Sequence, residues 1–517
     1  MKIHSMTIKN FRGYRNETMI PFQDMTVFIG KNDVGKSTIL EALDIFFHDG
    51  KGTVKIEKTD VNNQEQRYDN LETIISITFD DLPDQIVIDA TARTTLHSEF
   101  LLNSERRLEV IKVFRGATGT PRVFIKAVHP TNPVCAGLLL KKNNELRRIV
   151  NGQNIPCENQ ANNVCLREAI WRYYQDDLQL QEVMIDASKE DAKAIWEKLA
   201  VYMPVYSLFQ SDRKNSDGDS EVQDPLQEAV KEIISDPQLQ AAFADIANVV
   251  TRKLQEVSDR TLAKIREMDP AIATSLNPNI PPASTLKWAD VFKKVSITGD
   301  EDIPINKRGS GVKRLVLLNF FRAEAERRLE EGNNTGIIYA IEEPETSQHS
   351  VNQKILIQAL QTLADMPDVQ VVLTTHSGII VKHLQFSDLR MVTDVNGQKS
   401  VQEIEPGVLL YPSLNEVNYL AYGEAVEEYH DELYGFLLYN HKLDEYNQGR
   451  EEVLYIPLDN NGIPRPNPWR ITRTEYIRHQ IHHPENHHNP RFTSEQLQES
   501  IRAMREFIQT ERNAGRL

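Results

Sequence analysis

The nonapeptide GKNDVGKST at residues 30–38 matches the pattern G-x-x-x-x-G-K-[ST] without a mismatch. An apolar strand is predicted directly before it, over residues 26–29, and the apolar residues that follow it have helical spacing. Glycines allow backbone N–H groups to turn around phosphates, and a helix that begins there directs its positive end towards them. The stretch therefore predicts a phosphate-binding loop, in which Lys36 reaches the β- and γ-phosphates of a nucleotide and Ser37 binds Mg²⁺.

The segment IIYAIEEPE at residues 337–345 is a continuous apolar strand that ends in acidic residues. Strands of this kind are typical of a parallel sheet that is buried on both faces. We expect Glu342 to hold Mg²⁺ through its water shell and Glu343 to polarise the water that attacks the terminal phosphate. A solvated acidic turn after a core strand is the structural alternative. However, the acidic pair together with the predicted phosphate-binding loop at residues 30–38, called the lysine loop below, favours nucleotide hydrolysis.

Two further segments bear on this chemistry. VQVVLTTHS at residues 369–377 is a second continuous apolar strand, and it leads into His376. RGSGVKR at residues 308–314 is a glycine-containing loop that precedes the acidic strand. From residue 335 onwards, strands and helices alternate, which favours parallel pairing of the apolar strands.

In their order and spacing, these segments resemble the ABC-type ATPases of the SMC, RecF and OLD class. Ser310 lies 33 residues before Glu343, and His376 lies 33 residues after it. The sequence NFRG at residues 10–13 and Asn32 within the lysine loop match further features of that class.

The resemblance implies an active site that is completed by a second subunit. The loop of Ser310 and Gly311 would contact the γ-phosphate held by the partner, so the chain would act as a dimer or higher homo-oligomer. His376 would sense the γ-phosphate, and Gln210 would be the glutamine where the ATPase core meets the helical subdomain. From the residues alone, a plain loop glutamine, a helix N-terminus at Ser310 and a core or surface histidine remain open alternatives. The residues expected to bind ATP are Arg12, Gly30, Asn32, Gly35, Lys36, Ser37, Thr38, Gln210, Ser310 and Gly311. The expected catalytic residues are Lys36, Glu343 and His376, and the expected Mg²⁺ ligands are Ser37 and Glu342.

The expected fold class is α/β: an ABC-type P-loop ATPase head with a mixed sheet, an antiparallel lobe, a short helical insertion and an α-helical C-terminal region. Runs rich in β-formers, separated by polar turns, predict the antiparallel lobe; they lie at residues 71–80, 108–114 and 122–128. The insertion is too short for a long SMC-like coiled coil, which argues against chromosome tethering. The predicted domains are an ATPase lobe at 1–211, the helical insertion at 212–305, a second ATPase lobe at 306–407 and the helical region at 413–517.

The C-terminal region carries a short motif, since Arg478 and His483 fit the R-x-x-x-x-H pattern of HEPN ribonucleases. That resemblance implies metal-independent RNA cleavage, with the histidine as acid or base and the arginine stabilising phosphate charge. Helices predicted over 414–439 and 493–511 would supply the HEPN bundle. A polar helix end, a surface for docking a partner, and a zinc site remain open alternatives. The zinc ligands would be His482, His483, His487 and His488. After residue 400 the sequence has no D-x-D, so we expect no TOPRIM nuclease domain.

Composition limits the functional classes further. The chain has 517 residues, with 59 Lys and Arg against 75 Asp and Glu, and its net charge of −16 argues against a protein that coats nucleic acid. No apolar run approaches about 18 residues, and the first residues contain no apolar signal core. We therefore expect a cytoplasmic protein without a membrane partner. Its three cysteines form no C-x-x-C pair, which excludes a disulfide scaffold.

A compact ATPase of this class without a TOPRIM domain resembles the ATPase subunit of two-component bacterial anti-phage systems such as Septu or PARIS. In those systems the ATPase controls a separately encoded nuclease, so we expect a nuclease partner and contact with nucleic acid through the complex. One alternative is a single-chain effector whose ATPase gates its own HEPN-like ribonuclease. A second alternative is a RecF-like DNA repair ATPase, which would need a basic surface facing DNA.

Overall fold

The computed structural model describes residues 1–89, 92–116, 120–188, 190–210, 336–346, 350–395, 397–459 and 462–517, together with short helical stretches between 239 and 255. The chain divides into two compact units. The first contains Met1–Ser211 and Ala325–Leu517, and the second is Asp212–Glu324. The elements described below belong to the first unit.

Two six-stranded sheets, two two-stranded sheets and the helices around them form the described part of this unit. Its strands are β1 (Lys2–Lys9), β2 (Thr18–Pro21), β3 (Met25–Ile29), β4 (Glu72–Asp80), β5 (Ile86–Asp89), β6 (Ala92–Thr94), β7 (Leu108–Arg115), β8 (Arg122–Pro130), β9 (Leu180–Asp186), β10 (Val205–Phe209), β11 (Ile337–Glu342), β12 (Val369–Thr374), β13 (Leu389–Val395), β14 (Gln398–Glu403), β15 (Glu452–Tyr455) and β16 (Trp469–Thr472). Its helices are α1 (Lys36–Phe47), α2 (Asn63–Gln66), α3 (Asn143–Gly152), α4 (Asn163–Tyr173), α5 (Glu190–Leu199), α6 (Ser350–Ala364), α7 (Gly378–Val381), α8 (Leu414–Tyr422), α9 (Glu427–Tyr439), α10 (Leu443–Asn447), α11 (Arg473–His482) and α12 (Ser494–Asn513). The two-stranded sheets pair β5 with β6 and β15 with β16.

The central sheet has the strand order β10-β11-β12-β3-β13-β14. Its first five strands are parallel, and β14 pairs antiparallel with β13. All residues of β3 and β12 are buried, which explains their continuous apolar sequences. The pairing of Glu342 with Thr374, and of Thr374 with Phe28, brings the carboxyl ends of β11, β12 and β3 to one edge of the sheet. The predicted parallel sheet is thus confirmed.

The second sheet is antiparallel, with the order β2-β1-β4-β7-β8-β9. Its strands β4, β7 and β8 are the three runs that the sequence predicts, so the antiparallel lobe is confirmed. From its sequence, the stretch 131–200 is expected to be less regular, with several helix-like segments, and strand β9 within it is a correction. β9 is an edge strand with mostly exposed or half-buried side chains, so its sequence lacks the alternation of apolar and polar residues that marks a half-buried strand. One hydrophobic core joins both sheets and α1.

The C-terminal region has its own hydrophobic core, in which α8 to α12 pack together. The predicted helix over 414–439 is two helices, because Gly423 ends α8 in a left-handed conformation with φ of 69°. The sequence pattern of Thr493 and Gln496 predicts a capping box, and the structure shows one at the start of α12. The two-stranded sheet of β15 and β16 was not predicted, since each strand has only four residues. In the part of the chain that the structure describes, no helix combines the length and hydropathy needed to span a bilayer.

Candidate ATPase site

The lysine loop between β3 and α1 adopts backbone conformations that glycine favours. Gly30 has φ of 146° and Gly35 has φ of 105°, and Asp33 between them has φ of 59°. A Cβ atom added to Gly30 would lie 2.5 Å from the backbone oxygen of Val392, so only glycine fits there. Helix α1 begins at Lys36, directly after this turn.

Lys36 folds back over the loop and is 5% exposed. Its Nζ donates to the backbone oxygens of Gly30, at 3.0 Å, and Lys31, at 2.7 Å. Burial lowers the pKa of Lys36 to about 8, and the surrounding carboxylates of Glu343, Asp33, Glu345 and Glu342 oppose that shift. The site therefore places one buried cation among carboxylates at the edge of a parallel sheet.

Two side chains from other parts of the unit donate hydrogen bonds to backbone oxygens of the lysine loop. Lys399 on β14 donates its Nζ to the backbone oxygen of Val34 at 2.6 Å. The hydroxyl of Tyr14 donates to the backbone oxygen of Gly35 at 3.0 Å. Neither contact was predicted, because neither residue belongs to a motif and Lys399 is distant in sequence.

Glu343 follows β11 with a left-handed backbone, at φ of 40°. Its N–H donates to the backbone oxygen of Thr374 and to the Thr374 hydroxyl, each at 3.1 Å. Its Oε1 lies 3.2 Å from Nε2 of His376. A non-glycine residue in this conformation is strained, and the neighbouring strand β12 holds it in place. The structure thus brings two of the three predicted catalytic side chains, Glu343 and His376, into direct contact.

Glu345 positions the loop that carries His376. Its Oε1 accepts hydrogen bonds from the Thr375 hydroxyl at 2.7 Å and from the His376 N–H at 2.8 Å. Burial raises the pKa of the Glu345 carboxyl. Burial, and then the charge of Lys36, lowers the pKa of His376, while the charge of Glu343 opposes that shift. No role was predicted for Glu345, although its place as the last acidic residue of EEPE at 342–345 was an available signal.

Arg12 and Gln210 meet on α1. Nε2 of Gln210 donates to Oε1 of Glu41 at 3.1 Å, and Nη1 of Arg12 pairs with Oε2 of the same carboxylate. Nε of Arg12 also donates to Asp60 at 2.8 Å. The two residues that the family resemblance singled out are therefore joined through one carboxylate.

The remaining loop residues fit a nucleotide with Mg²⁺. Ser37 and Thr38 lie in the first turn of α1, and Asn32 is exposed on the loop. Hydroxyl and carboxylate oxygens, as in Ser37 and Glu342, are the ligands that Mg²⁺ prefers. The glycine conformations, the buried lysine and these oxygens together make the site suitable for a triphosphate.

A family profile described as an AAA ATPase domain matches residues 1–381. The chain belongs to this AAA ATPase domain family. A curated relative is the DNA replication and repair protein RecF of Rickettsia prowazekii (strain Madrid E), which is 29% identical over 73 residues. That match covers 14% of this chain and 20% of the RecF chain.

Solved structures with similarity include an SMC head domain from Thermotoga maritima, with 13% identity and a TM-score of 0.31. The similarity covers 78% of this chain and 100% of that one. A second is an SMC head bound to the C-winged helix domain of ScpA, with 14% identity and a TM-score of 0.35. It covers 81% of this chain and 99% of that one.

Within this AAA ATPase domain, the structure does not describe every predicted site residue. Ser310 and Gly311 lie outside the described residues, so their roles stay predictions. The family match ends at residue 381, so the C-terminal region lies beyond it.

Arg478 and His483 have separate partners beyond the ATPase domain. Arg478 pairs with Asp431 and lies 4.6 Å from the centre of the Tyr434 ring. His483 ends α11, and its Nδ1 lies 3.2 Å from Glu485 Oε1. Among the described residues, no group of three or more His, Cys, Asp or Glu is arranged to hold a metal, which includes the four histidines considered as zinc ligands.

The hydrogen bonds of Glu345 lead to a prediction for Glu345→Ala. The substitution removes the acceptor for two groups of the His376 loop, so we expect kcat for ATP hydrolysis to fall about tenfold while ATP affinity changes less than about twofold. Glu345→Gln retains an acceptor oxygen and should recover much of the lost rate. Phosphate release and calorimetry measure the two quantities. A loss of ATP affinity equal to the loss of kcat would contradict a role specific to the His376 loop.

Proposed function

We propose that this chain binds and hydrolyses ATP in a homo-oligomer and thereby controls a separately encoded nuclease in bacterial anti-phage defence. The observation that carries the ATPase part is the convergence of Lys36, Glu343 and His376 at the carboxyl ends of three adjacent parallel strands. Lys36 supplies positive charge to the phosphates, and Glu343 orients the attacking water and accepts its proton. His376 contacts Glu343, and both side chains line one cavity. Bound Mg²⁺, held by Ser37 and Glu342, would neutralise phosphate charge.

The control of a partner nuclease is supported by the family resemblance and by the C-terminal region. This region has a separate core, yet it contacts the lysine loop through Tyr422 and Glu424. Its HEPN-like arginine, Arg478, is neutralised by Asp431. The contact with the ATPase site and the internal ion pair of Arg478 favour a role in docking a partner. They argue against catalysis by the C-terminal region itself.

One experiment separates the proposal from its alternatives. The chain is purified alone and together with the product of the neighbouring gene, and each preparation is assayed for cleavage of tRNA and DNA. We expect the chain alone to hydrolyse ATP and cut neither substrate, and the complex to cut in a manner that depends on ATP. Metal-independent RNA cleavage by the chain alone, lost in His483→Ala, would instead establish the single-chain effector. ATP-dependent DNA binding without any cleavage would favour a RecF-like repair ATPase.

The oligomeric site leads to a prediction for mixtures of variants. Ser310→Arg should leave ATP binding intact and block turnover, because the loop of Ser310 and Gly311 would act on ATP held by the partner subunit. Lys36→Ala should also be inactive. In a random 1:1 mixture of dimers, half are heterodimers that carry one intact site, so about a quarter of wild-type ATPase activity should return. Phosphate release after subunit exchange measures this recovery, and an inactive mixture with demonstrated exchange would rule out a site shared between subunits.

A further inference from the structure

The end of α8 touches the lysine loop through one side chain, Tyr422. The Tyr422 hydroxyl donates to the backbone oxygen of Val392 at 2.9 Å and accepts from the Lys31 N–H at 3.4 Å. The same oxygen would lie 3.4 Å from a Cβ atom at Gly30. One hydroxyl thus joins the loop, strand β13 and the C-terminal helix α8.

The side chain of Lys31 strengthens this junction. Its Nζ lies 4.4 Å from the centre of the Tyr422 ring and 2.7 Å from Oε1 of Glu424. The backbone oxygen of Lys31 accepts a hydrogen bond from Lys36. The N–H of Lys31 therefore binds Tyr422, and its backbone oxygen binds Lys36.

Helix α8 is itself fixed to the rest of the C-terminal region. Ser413 caps its first turn and donates its hydroxyl to Glu432 on α9. Glu416 on α8 pairs with Arg505 on α12 at 2.6 Å and accepts from the Tyr429 hydroxyl at 3.1 Å. A shift of α9 or α12 would therefore move α8, and Tyr422 with it.

We propose that Tyr422 is a positioning residue for the lysine loop. Through this contact, the affinity for ATP depends on the C-terminal region. This inference rests on the ATP site described under the proposed function. Tyr422 lies 41 residues beyond the matched ATPase domain, which ends at residue 381. If the contact of Tyr422 raises the affinity for ATP, bound ATP must by linkage stabilise α8 in that contact by the same free energy. The C-terminal region thus both supports the loop and responds to the nucleotide.

The test is Tyr422→Phe, which removes the hydroxyl and keeps the ring beside Lys31. Loss of one bridging hydrogen-bond group should raise Kd and KM for ATP about three- to tenfold, with kcat within about twofold of wild type. Tyr439→Phe is the matched control, because Tyr439 lies in the same region and is 83% exposed. Calorimetry and steady-state phosphate release give the constants, and the melting temperatures of both variants establish that they fold.

Hydrogen exchange provides the second measurement. A non-hydrolysable ATP analogue should slow amide exchange across residues 414–422 in the wild-type chain and have little effect there in Tyr422→Phe. Wild-type KM in Tyr422→Phe, or equal protection of 414–422 by the analogue in both proteins, would overturn the positioning role while leaving the ATP site intact. A wild-type chain that binds no ATP would overturn the ATP site as well, so the two failures are distinguishable.

Discussion

Glu343→Gln is expected to keep ATP bound while slowing its hydrolysis by about a hundredfold to ten-thousandfold, the usual contribution of a general base. The amide has nearly the same shape as the carboxylate, but it accepts no proton from the attacking water. Because this role is confined to the transition state, ATP affinity should stay close to that of wild type. Single-turnover phosphate release and calorimetry measure the two effects.

Glu506→Gln is a suitable control for that experiment, since Glu506 is an exposed residue of α12. It should leave both rate and affinity unchanged. Normal turnover in Glu343→Gln would show that another residue handles the water, and loss of ATP affinity would show that Glu343 mainly shapes the binding site.

Lys36→Ala should weaken ATP binding by about a hundredfold or more, because charge-assisted hydrogen bonds to the β- and γ-phosphates are lost while the backbone of the loop remains. Calorimetry measures the change. Lys354→Ala, which removes an exposed lysine on α6, is the matched control. Binding of ATP by Lys36→Ala with wild-type affinity would show that the phosphates lie elsewhere.

The pKa of Lys36 gives this prediction a pH dependence. With its pKa lowered to about 8, Lys36 loses its proton progressively as the pH rises above 8. Phosphate charges stabilise the ammonium, so binding above that pH must be accompanied by uptake of one proton. The Kd for ATP should therefore rise above pH 8, by up to about tenfold for each pH unit. In Lys36→Ala the residual binding should lack this dependence.

The sequence predicted those parts of the fold and of the site that local rules determine. The lysine loop and the strand that ends in Glu342 follow from residue types at fixed spacing, and the capping box of Thr493 follows from local hydrogen bonding. The hydrogen bonds of Lys399 and Tyr422 to the lysine loop were not predicted. Both side chains contact the loop only because the central sheet and the C-terminal region bring distant parts of the sequence together. The left-handed backbone of Glu343 is likewise imposed by β12, and no local signal marks it.

Gly423 sets the length of a helix on which these contacts depend. Without its left-handed turn, residues 414–439 would form a single rod of 26 residues, about 39 Å long. Such a rod would carry α9 away from α12, and the C-terminal core would open. An alanine at this position costs roughly 1 kcal/mol in the turn and favours the continuous helix instead. The contact between the C-terminal region and the ATPase site therefore depends on the end of α8 at Gly423.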